Sequence, residues 1–223
     1  MIYPFLLSRN ESTLEVKKNI YFLLEGKNTE QFYFDGLLND SDFKPYDNVS
    51  IYSFIKGGSD EGLTQPIKMI EKAISYANDK TNKFNKNIDK IYVIFDLDVF
   101  KNDNGKISSL KKYRKYKYIK LGYSNPAFEL FLLLHLDEAY TKYIAKYKSK
   151  ILSNEYYKGK RFINYLLSEV TGINPKSNEL VSVFAKNYKN AIKEEKSINE
   201  ILVKAYKNVT CNVAKLIDEL DTN

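Results

Sequence analysis

Residues 90–98 read KIYVIFDLD, and this stretch decides which fold the rest of the chain must follow. Residues 90–95 are rich in β-branched and aromatic side chains, which is typical of a strand buried in a sheet. Asp96 and Asp98 follow at the carboxyl end of that strand. Because residues two apart in a strand point to the same face, we expect the two carboxylates to project together.

Two carboxylates held side by side repel each other and lose water unfavourably unless a positive charge lies between them. A hard cation such as Mg²⁺ (or Mn²⁺) supplies that charge, takes oxygen ligands and keeps waters that a phosphate oxygen can replace. In doubly wound sheets, ligands also bind at the carboxyl ends of the strands. Asp96 and Asp98 are therefore candidate metal ligands, although aspartates are also common where a strand simply ends in a turn.

Strands and helices alternate outward from this stretch. Strands are predicted at residues 19–24, 49–55, 90–95 and 118–121, and helices at residues 28–38, 61–79 and 126–136. This order favours an α/β fold with a mostly parallel sheet and helices on both faces. The later sequence is predicted to be helical at residues 137–147, 156–171, 179–194 and 209–220. We therefore expect a catalytic core over residues 1–136 and a C-terminal helical extension, packed on that core, over residues 137–223.

The composition favours a polyanionic partner. The 223 residues include 35 Lys plus Arg against 28 Asp plus Glu, a formal charge of +7, and such an excess attracts phosphate chains. An AT-rich coding sequence also enriches lysine, so the charge alone leaves the question open. Cys211 is the single cysteine, which excludes an intrachain disulfide and a thiolate cluster and indicates a reducing cytoplasm. No apolar run reaches the ~18–20 residues that span a bilayer, so we expect no membrane association.

Glu25 ends the other strongly apolar predicted strand, at residues 19–24, and Gly26 follows it at once. A glycine at this point permits a tight turn or a close backbone approach, and the N–H groups that begin the next helix favour an anion. Two strand ends that offer a glutamate and an Asp-x-Asp pair suit phosphoryl-transfer chemistry. Glu25 would act there as a bridging metal ligand or a general acid/base. The alternative is a helix-capping turn without chemistry.

Glu129 is a third acidic signal, because it stands alone in the apolar run of residues 128–134. With Pro126 at the first helical position and Asn125 as the cap, Glu129 lies one step past the capping-box position. A buried carboxylate needs a metal, or a salt bridge to one of the many lysines, because an unpaired buried charge is costly. His135, the only histidine, lies off the Glu129 face of that helix, which argues against histidine metal sites and serine-type triads.

A basic segment lies between the Asp-x-Asp strand and Glu129. Residues 106–120 read KISSLKKYRKYKYIK, with tyrosines among the lysines. Such a segment can follow a phosphate backbone and offer rings for stacking, although a solvated face in a lysine-rich protein has the same composition. The predicted nucleic-acid contacts are Lys27, Lys111, Lys112, Arg114 and Lys115.

Three separated motifs together resemble one known family. They are Glu25-Gly26-x-x-Thr29-Glu30-x-x-Tyr33-Phe34, then Phe95-Asp96-x-Asp98, then Ser124-Asn125-Pro126-x-Phe128-Glu129-Leu130-x-Leu132-Leu133-Leu134-His135. Their order and spacing are similar to those of the RloB family, and the resemblance covers almost the whole chain. Further features of the same kind are Gly57-Gly58-Ser59-Asp60 and Asn208-Val209-Thr210-x-x-Val213. Phe131 stands where the family usually has tryptophan, a departure that concerns packing rather than chemistry.

The resemblance implies a Toprim-type catalytic core, the α/β fold of topoisomerases, bacterial primases and the OLD nucleases. It places the acidic residues of the family at Glu25, Asp96 and Asp98, with Glu129 as an addition. RloB-like genes commonly accompany an AAA or ABC-type ATPase in restriction loci. They also occur in phage abortive infection, where the AbiL-type pair joins an ATPase to an RloB-like subunit, and this lysine-rich chain is similar to that group.

Three functions follow as hypotheses, in this order. The first is a Mg²⁺-dependent nuclease effector of an anti-phage defence system, which cleaves phosphodiesters of DNA or RNA and is restrained by an ATPase partner. The second is a binding or sensor subunit whose acidic face holds a partner and not a metal. The third is nucleotidyl transfer, for which the sequence shows no nucleoside-triphosphate pocket.

Overall fold

The computed structural model describes residues 18–26, 28–45, 49–53, 65–100, 103–176 and 179–221. Its strands in chain order are β1 (Lys18–Leu24), β2 (Val49–Ser53), β3 (Lys90–Asp96), β4 (Ile119–Asn125), β5 (Tyr156–Tyr157), β6 (Lys160–Arg161) and β7 (Thr210–Cys211). The central sheet has the order β2-β1-β3-β4-β7. Strands β1 to β4 pair in parallel, and β7 runs antiparallel to β4. The predicted mostly parallel α/β sheet is thus confirmed, and it is consistent with a Toprim-like fold.

Helices flank this sheet. The α-helices are α1 (Thr29–Leu38), α2 (Pro66–Asn78), α3 (Asn104–Ser109), α4 (Glu129–Leu133), α5 (Lys148–Ser153), α6 (Phe162–Thr171), α7 (Tyr188–Glu195) and α8 (Val213–Asp218). Short 3₁₀ segments lie at Lys80–Asn82, Asp98–Phe100, Leu110–Lys115, Glu179–Asn187 and Leu202–Lys207, and a π-helical turn lies at Tyr140–Ile144. Within the described part of the chain, no helix has both the length and the apolar character that a bilayer crossing requires.

The side chains of β3 show why this strand is apolar throughout. Ile91, Val93 and Phe95 pack on one face of the sheet, in a core shared with α2 and α3. Tyr92 and Ile94 pack on the other face, in a core shared with α1, α4 and α6. Because helices cover both faces, neither face of the strand is left to water, and the strand does not alternate between apolar and polar residues.

Asn212 ties the end of the chain to the sheet. Its Oδ1 accepts the N–H of Tyr123 at 2.7 Å, and its Nδ2 donates to the carbonyl of Leu121 at 2.8 Å. The side chain therefore continues the edge pairing that β7 begins along β4. Residues on both sides of position 136 contribute to one sheet, and the domain boundary expected at that position stays a prediction.

A helix was predicted to begin at residue 156, but residues 156–161 do not belong to it. They form the β5–β6 hairpin, in which Tyr156 pairs with Arg161 and Tyr157 with Lys160. The two turn residues both have positive φ angles, 48° at Lys158 and 80° at Gly159. Two successive positive φ angles produce a tight hairpin turn and are incompatible with a right-handed helix.

The helix expected at residues 126–136 is also shorter than predicted. Asn125 is the last residue of β4, and α4 begins only at Glu129. The Nδ2 of Asn125 donates to the carbonyls of Ala205 and Asn208, at 2.7 and 2.9 Å. Since that side chain is committed to a different segment, it does not cap the helix, and Pro126 is not the first helical residue.

Smaller differences concern boundaries. Strand β4 extends four residues beyond the predicted end, to Asn125, and α3 begins inside the stretch expected to be a polar loop at residues 99–106. The late helical predictions resolve into mixed elements, since a 3₁₀ segment precedes α7 and β7 precedes α8. The Gly57-Gly58-Ser59-Asp60 motif lies outside the described residues.

His135 joins α1 to the chain just after α4, deep in the core. Its Nδ1 lies 3.0 Å from the carbonyl of Phe131, so it must be the protonated nitrogen, and its Nε2 then accepts the hydroxyl of Tyr33 at 2.9 Å. Burial disfavours the charged ring and lowers the pKa of His135 to about 4. The imidazole is therefore a neutral structural link and not a metal ligand.

We predict that His135→Gln reduces the pH dependence of stability. The folded-state pKa of about 4 lies below the ordinary value of 6.5, so between these values the unfolded chain binds a proton that the folded chain does not. The stability that the neutral ring provides is complete above pH 6.5 and is lost as the pH falls. Between pH 7 and pH 5, the wild-type protein should lose about 2 kcal/mol more than the variant.

The measurement is urea unfolding of both proteins at the two pH values. Equal losses of unfolding free energy in wild type and variant would show that His135 titrates normally and that its burial has been misread.

Candidate active site

Parallel pairing of β1 and β3 brings Glu25 next to Asp96. Leu24 lies opposite Ile94 in the register of the two strands, and the N–H of Glu25 donates to the carbonyl of Ile94 at 3.0 Å. Two residues after Ile94, the N–H of Asp96 donates to Oε2 of Glu25 at 2.8 Å. The two strand ends are thus joined directly by the glutamate that the sequence singled out.

A cavity of about 440 Å³ opens at this end of the sheet. Its lining comes from two parts of the chain. The lining residues from the first part are Gly26, Asn28, Thr29, Glu30, Asp96, Asp98, Ala127, Phe128 and Glu129. Those from the later part are Asn154, Tyr156, Arg161, Asn164 and Lys176. The cavity therefore combines a group of carboxylates with two cations.

The predicted acidic residues are brought together by the fold, but Asp98 arrives by another route than expected. Asp96, Asp98 and Glu129 all line the cavity, and Glu25 contacts Asp96 beside it. Strand β3 ends at Asp96, however, and Asp98 begins a 3₁₀ turn. The alternation of side chains along a strand therefore does not explain the position of Asp98; the turn that follows the strand does.

Burial and neighbouring negative charges raise the pKa of Asp96 well above its ordinary value. Burial is the largest cause, followed by the charges of Glu25 and Glu30, with smaller contributions from Glu129 and Asp98. All of these favour the protonated carboxyl. The carboxylates around Asp96 thus repel one another when all are ionised.

Glu129 is only 5% exposed, and burial raises its pKa. Its own backbone N–H, the charge of Lys176 and the amide of Asn164 act in the opposite direction. Of the two partners that the sequence left open, the structure provides a cationic neighbour, Lys176. Its charge does not fully offset the effect of burial on the pKa of Glu129, and the metal partner stays a prediction.

Glu30 is a cavity residue that was named in the first motif but not among the site residues predicted from the sequence. It is 8% exposed and lines the cavity with the predicted carboxylates. Gly26 leaves it room, because any Cβ at that position would overlap the Glu30 carboxyl group. The spacing Gly26-x-x-x-Glu30 within the first motif was the signal that could have identified it.

The predicted nucleic-acid contacts lie elsewhere. Lys112 and Lys115 stack over the rings of Tyr113 and Tyr116, at 4.9 and 5.1 Å, and line a separate cavity against α2. Arg114 lines a third cavity, and Lys111 is exposed nearby. None of these four is among the described residues that line the acidic cavity. Lys27 lies outside the described residues.

The sequence model of RloB-like proteins matches residues 20–220. The chain belongs to the RloB family. The matched range includes all four predicted carboxylates and the two cations of the cavity, Arg161 and Lys176. The cavity therefore lies wholly within the family region. Searches of curated proteins and of solved structures each found no match to this chain.

The donor chemistry of this RloB-family cavity fits a hard divalent cation. Its acidic ligands are oxygens, and Oδ1 of Asn164 is buried without a hydrogen-bond partner while Asn164 lines the same cavity. A dication would neutralise the crowded carboxylates and occupy such acceptors. Within the described ranges, no three acidic, histidine or cysteine side chains are already arranged as they would be around a metal ion, so binding would require these side chains to rotate.

We predict that Asp96→Asn stabilises the metal-free RloB-family protein at neutral pH by about 0.5–2 kcal/mol, because it removes one charge from a crowded buried group. The sign follows from the raised pKa of Asp96. The folded state binds the proton more tightly than the unfolded state, so wild-type stability falls as the pH rises through the folded-state pKa. The advantage of the variant should therefore be larger at pH 7.5 than at pH 5.

Urea unfolding in EDTA at both pH values measures this difference. Asp137→Asn is the control, because Asp137 is exposed and distant from the cavity lining. A destabilised Asp96→Asn protein, or an effect equal to that of the control, would contradict the account of charge crowding.

Proposed function

We propose that this RloB-family protein is a metal-dependent phosphodiesterase acting on nucleic acid. The observation that carries the proposal is that Asp96, Asp98 and Glu129 line one cavity together with Arg161 and Lys176, at the carboxyl end of a parallel sheet. Such an arrangement offers oxygen ligands for a cation and cationic partners for phosphate oxygens in the same cavity.

Asp96, Asp98 and Glu25 would hold Mg²⁺ (or Mn²⁺) in this proposal. The chemistry that such an ion supplies when bound is the activation of a water and the neutralisation of charge that develops on the phosphate. Arg161 and Lys176 would orient the phosphate through charge-assisted hydrogen bonds. Their positions in the cavity lining support this role.

Glu129 is the better candidate for proton transfer, a role that the sequence had suggested for Glu25. Burial raises the pKa of Glu129 above its ordinary value, and a carboxyl group with a raised pKa is better suited to giving and taking a proton than one that stays fully ionised. Glu25 already accepts the N–H of Asp96, and that bond holds its Oε2 at the strand end. A carboxylate held in this way is suited to positioning rather than to proton exchange.

The wider role that we propose is that of a nuclease effector in a bacterial anti-phage system, located in the cytoplasm and controlled by an AAA or ABC-type ATPase. Support for this comes from membership of the RloB family, and the resemblance to the AbiL-type subunit stays a prediction from the sequence. The net charge of +7 is compatible with a nucleic-acid substrate.

The second candidate is a binding or sensor subunit that uses the acidic cavity without metal. One observation favours it: the described carboxylates are not arranged around a common metal position. In that case the cavity would receive a cationic group of a partner protein. Metal dependence of cleavage separates the two functions.

We predict that the wild-type protein cleaves plasmid DNA or total RNA in the presence of Mg²⁺. The assay is run both with and without the cognate ATPase. Asp96→Asn should reduce the cleavage rate at least about 100-fold, because it removes a charged ligand from the reacting centre. Asp137→Asn is the matched control and should cleave as the wild type does. Full cleavage by folded Asp96→Asn protein would refute the proposed site.

A further inference from the structure

The β5–β6 hairpin presents exposed aromatic rings beside the acidic cavity. Residues 156–161 read YYKGKR, and the side chain of Tyr156 is 71% exposed and that of Tyr157 43% exposed. Large rings normally bury most of their surface in a folded protein. The ring of Tyr157 packs against that of Tyr165, with 4.7 Å between the centroids, so Tyr156 is the ring of the hairpin that is most available to a ligand.

The hairpin is held in place by the residues that precede and follow it. Asn154 is 2% exposed, its Oδ1 accepts the N–H of Ile163 at 3.1 Å, and its carbonyl accepts Nη1 of Arg161 at 3.3 Å. The N–H of Phe162 donates to the carbonyl of Glu155 at 3.0 Å. A surface fixed in this way loses little conformational entropy when a ligand binds.

Cations surround the exposed rings. Cζ of Arg161 lies 4.6 Å from the ring centroid of Tyr156. Nζ of Lys150 and Nζ of Lys158 lie 5.9 and 5.7 Å from the ring centroid of Tyr157. The combination of ring faces with positive charge suits a polymer that alternates flat bases with phosphates.

The hairpin is continuous with the proposed catalytic cavity. Tyr156 and Arg161 line that cavity together with Asp96 and Glu129. A phosphate that contacts Arg161 would therefore lie in the cavity that Asp96 and Glu129 also line. An adjoining base would reach the ring of Tyr156. The two parts of a nucleotide thus have neighbouring, chemically matched partners.

The geometry distinguishes single-stranded from double-stranded nucleic acid. In a duplex the base faces are stacked on one another, so an exposed ring gains nothing from them, whereas unpaired bases stack readily on aromatic side chains. We propose that the β5–β6 hairpin is a binding platform for single-stranded nucleic acid, with Tyr156 stacking on a base and Arg161 contacting the adjoining phosphate. This inference rests on the proposed function and specifies its substrate class.

The test measures binding without cleavage. Fluorescence anisotropy follows labelled 20-nucleotide single-stranded DNA, single-stranded RNA and duplex DNA with the full-length protein in EDTA. Wild type should bind at least one of the single strands more tightly than the duplex. Tyr156→Ala should weaken single-strand binding about tenfold or more while Tyr156→Phe stays within about twofold of wild type, because stacking needs the ring and not the hydroxyl.

Arg161→Ala is compared with Arg114→Ala, since both arginines line cavities but only Arg161 lines the one that contains Asp96, Asp98 and Glu129. Arg161→Ala should weaken single-strand binding severalfold and lower its salt dependence by about one phosphate contact. Tyr140→Ala serves as a second control, because Tyr140 is an exposed tyrosine away from the cavity lining. Circular dichroism verifies the fold of each variant.

Several results would overturn the platform. They are a preference for duplex, an unchanged affinity in folded Tyr156→Ala protein, or a larger effect of Arg114→Ala than of Arg161→Ala. Because binding is measured in EDTA, its outcome is independent of cleavage. If binding depends on the hairpin but no metal-dependent cleavage occurs, the proposed nuclease is refuted and the platform stands. If cleavage occurs but binding does not depend on the hairpin, the platform is refuted and the nuclease stands.

Discussion

The structure depends on one constraint, which is the parallel pairing of two buried strands whose ends both carry carboxylates. The pairing of β1 with β3 is set by the apolar core on both faces of the sheet, and a shift of register would expose that core to water. The same register places the N–H of Asp96 on the carboxylate of Glu25. The pairing that stabilises the sheet therefore also concentrates negative charge at its carboxyl end. The free energy gained by burying the core holds these carboxylates together although they repel each other.

The later part of the chain completes this site rather than merely covering it. Thr29 at the start of α1 donates its hydroxyl to the carbonyl of Pro175 at 2.8 Å, which brings the segment containing Lys176 to the cavity. The hairpin that follows α5 carries Arg161 to the same cavity. The lining carboxylates lie on or after β3 and in helices α1 and α4, whereas Arg161 lies on β6 and Lys176 after α6. The cavity is thus assembled from segments that are far apart in the sequence.

The sequence predicted the central features well because they depend on strong local signals. An apolar strand buried on both faces and followed by Asp-x-Asp is recognisable without a structure, and Glu25 after the second such strand could be placed beside it by topology alone. Asp98 does line the cavity with Asp96, but the turn after β3 places it there and not the alternation of side chains along the strand. Glu30 was passed over because an acidic residue in the first turn of a helix already has a sufficient explanation.

The cations could not be found in the same way. Lys112 and Arg114 stand in the most basic segment, close in sequence to the aspartates, yet they line other cavities. Arg161 and Lys176 are distant in sequence and are brought in by tertiary contacts, and the hairpin that carries Arg161 was read as a helix.

The central claim is that the crowded carboxylates form a site for a divalent cation. Calorimetric titration of Mn²⁺ into wild-type and Asp96→Asn protein tests it most directly: the account predicts saturable binding by the wild type that the variant loses, and absent or equal binding in the two proteins would contradict it.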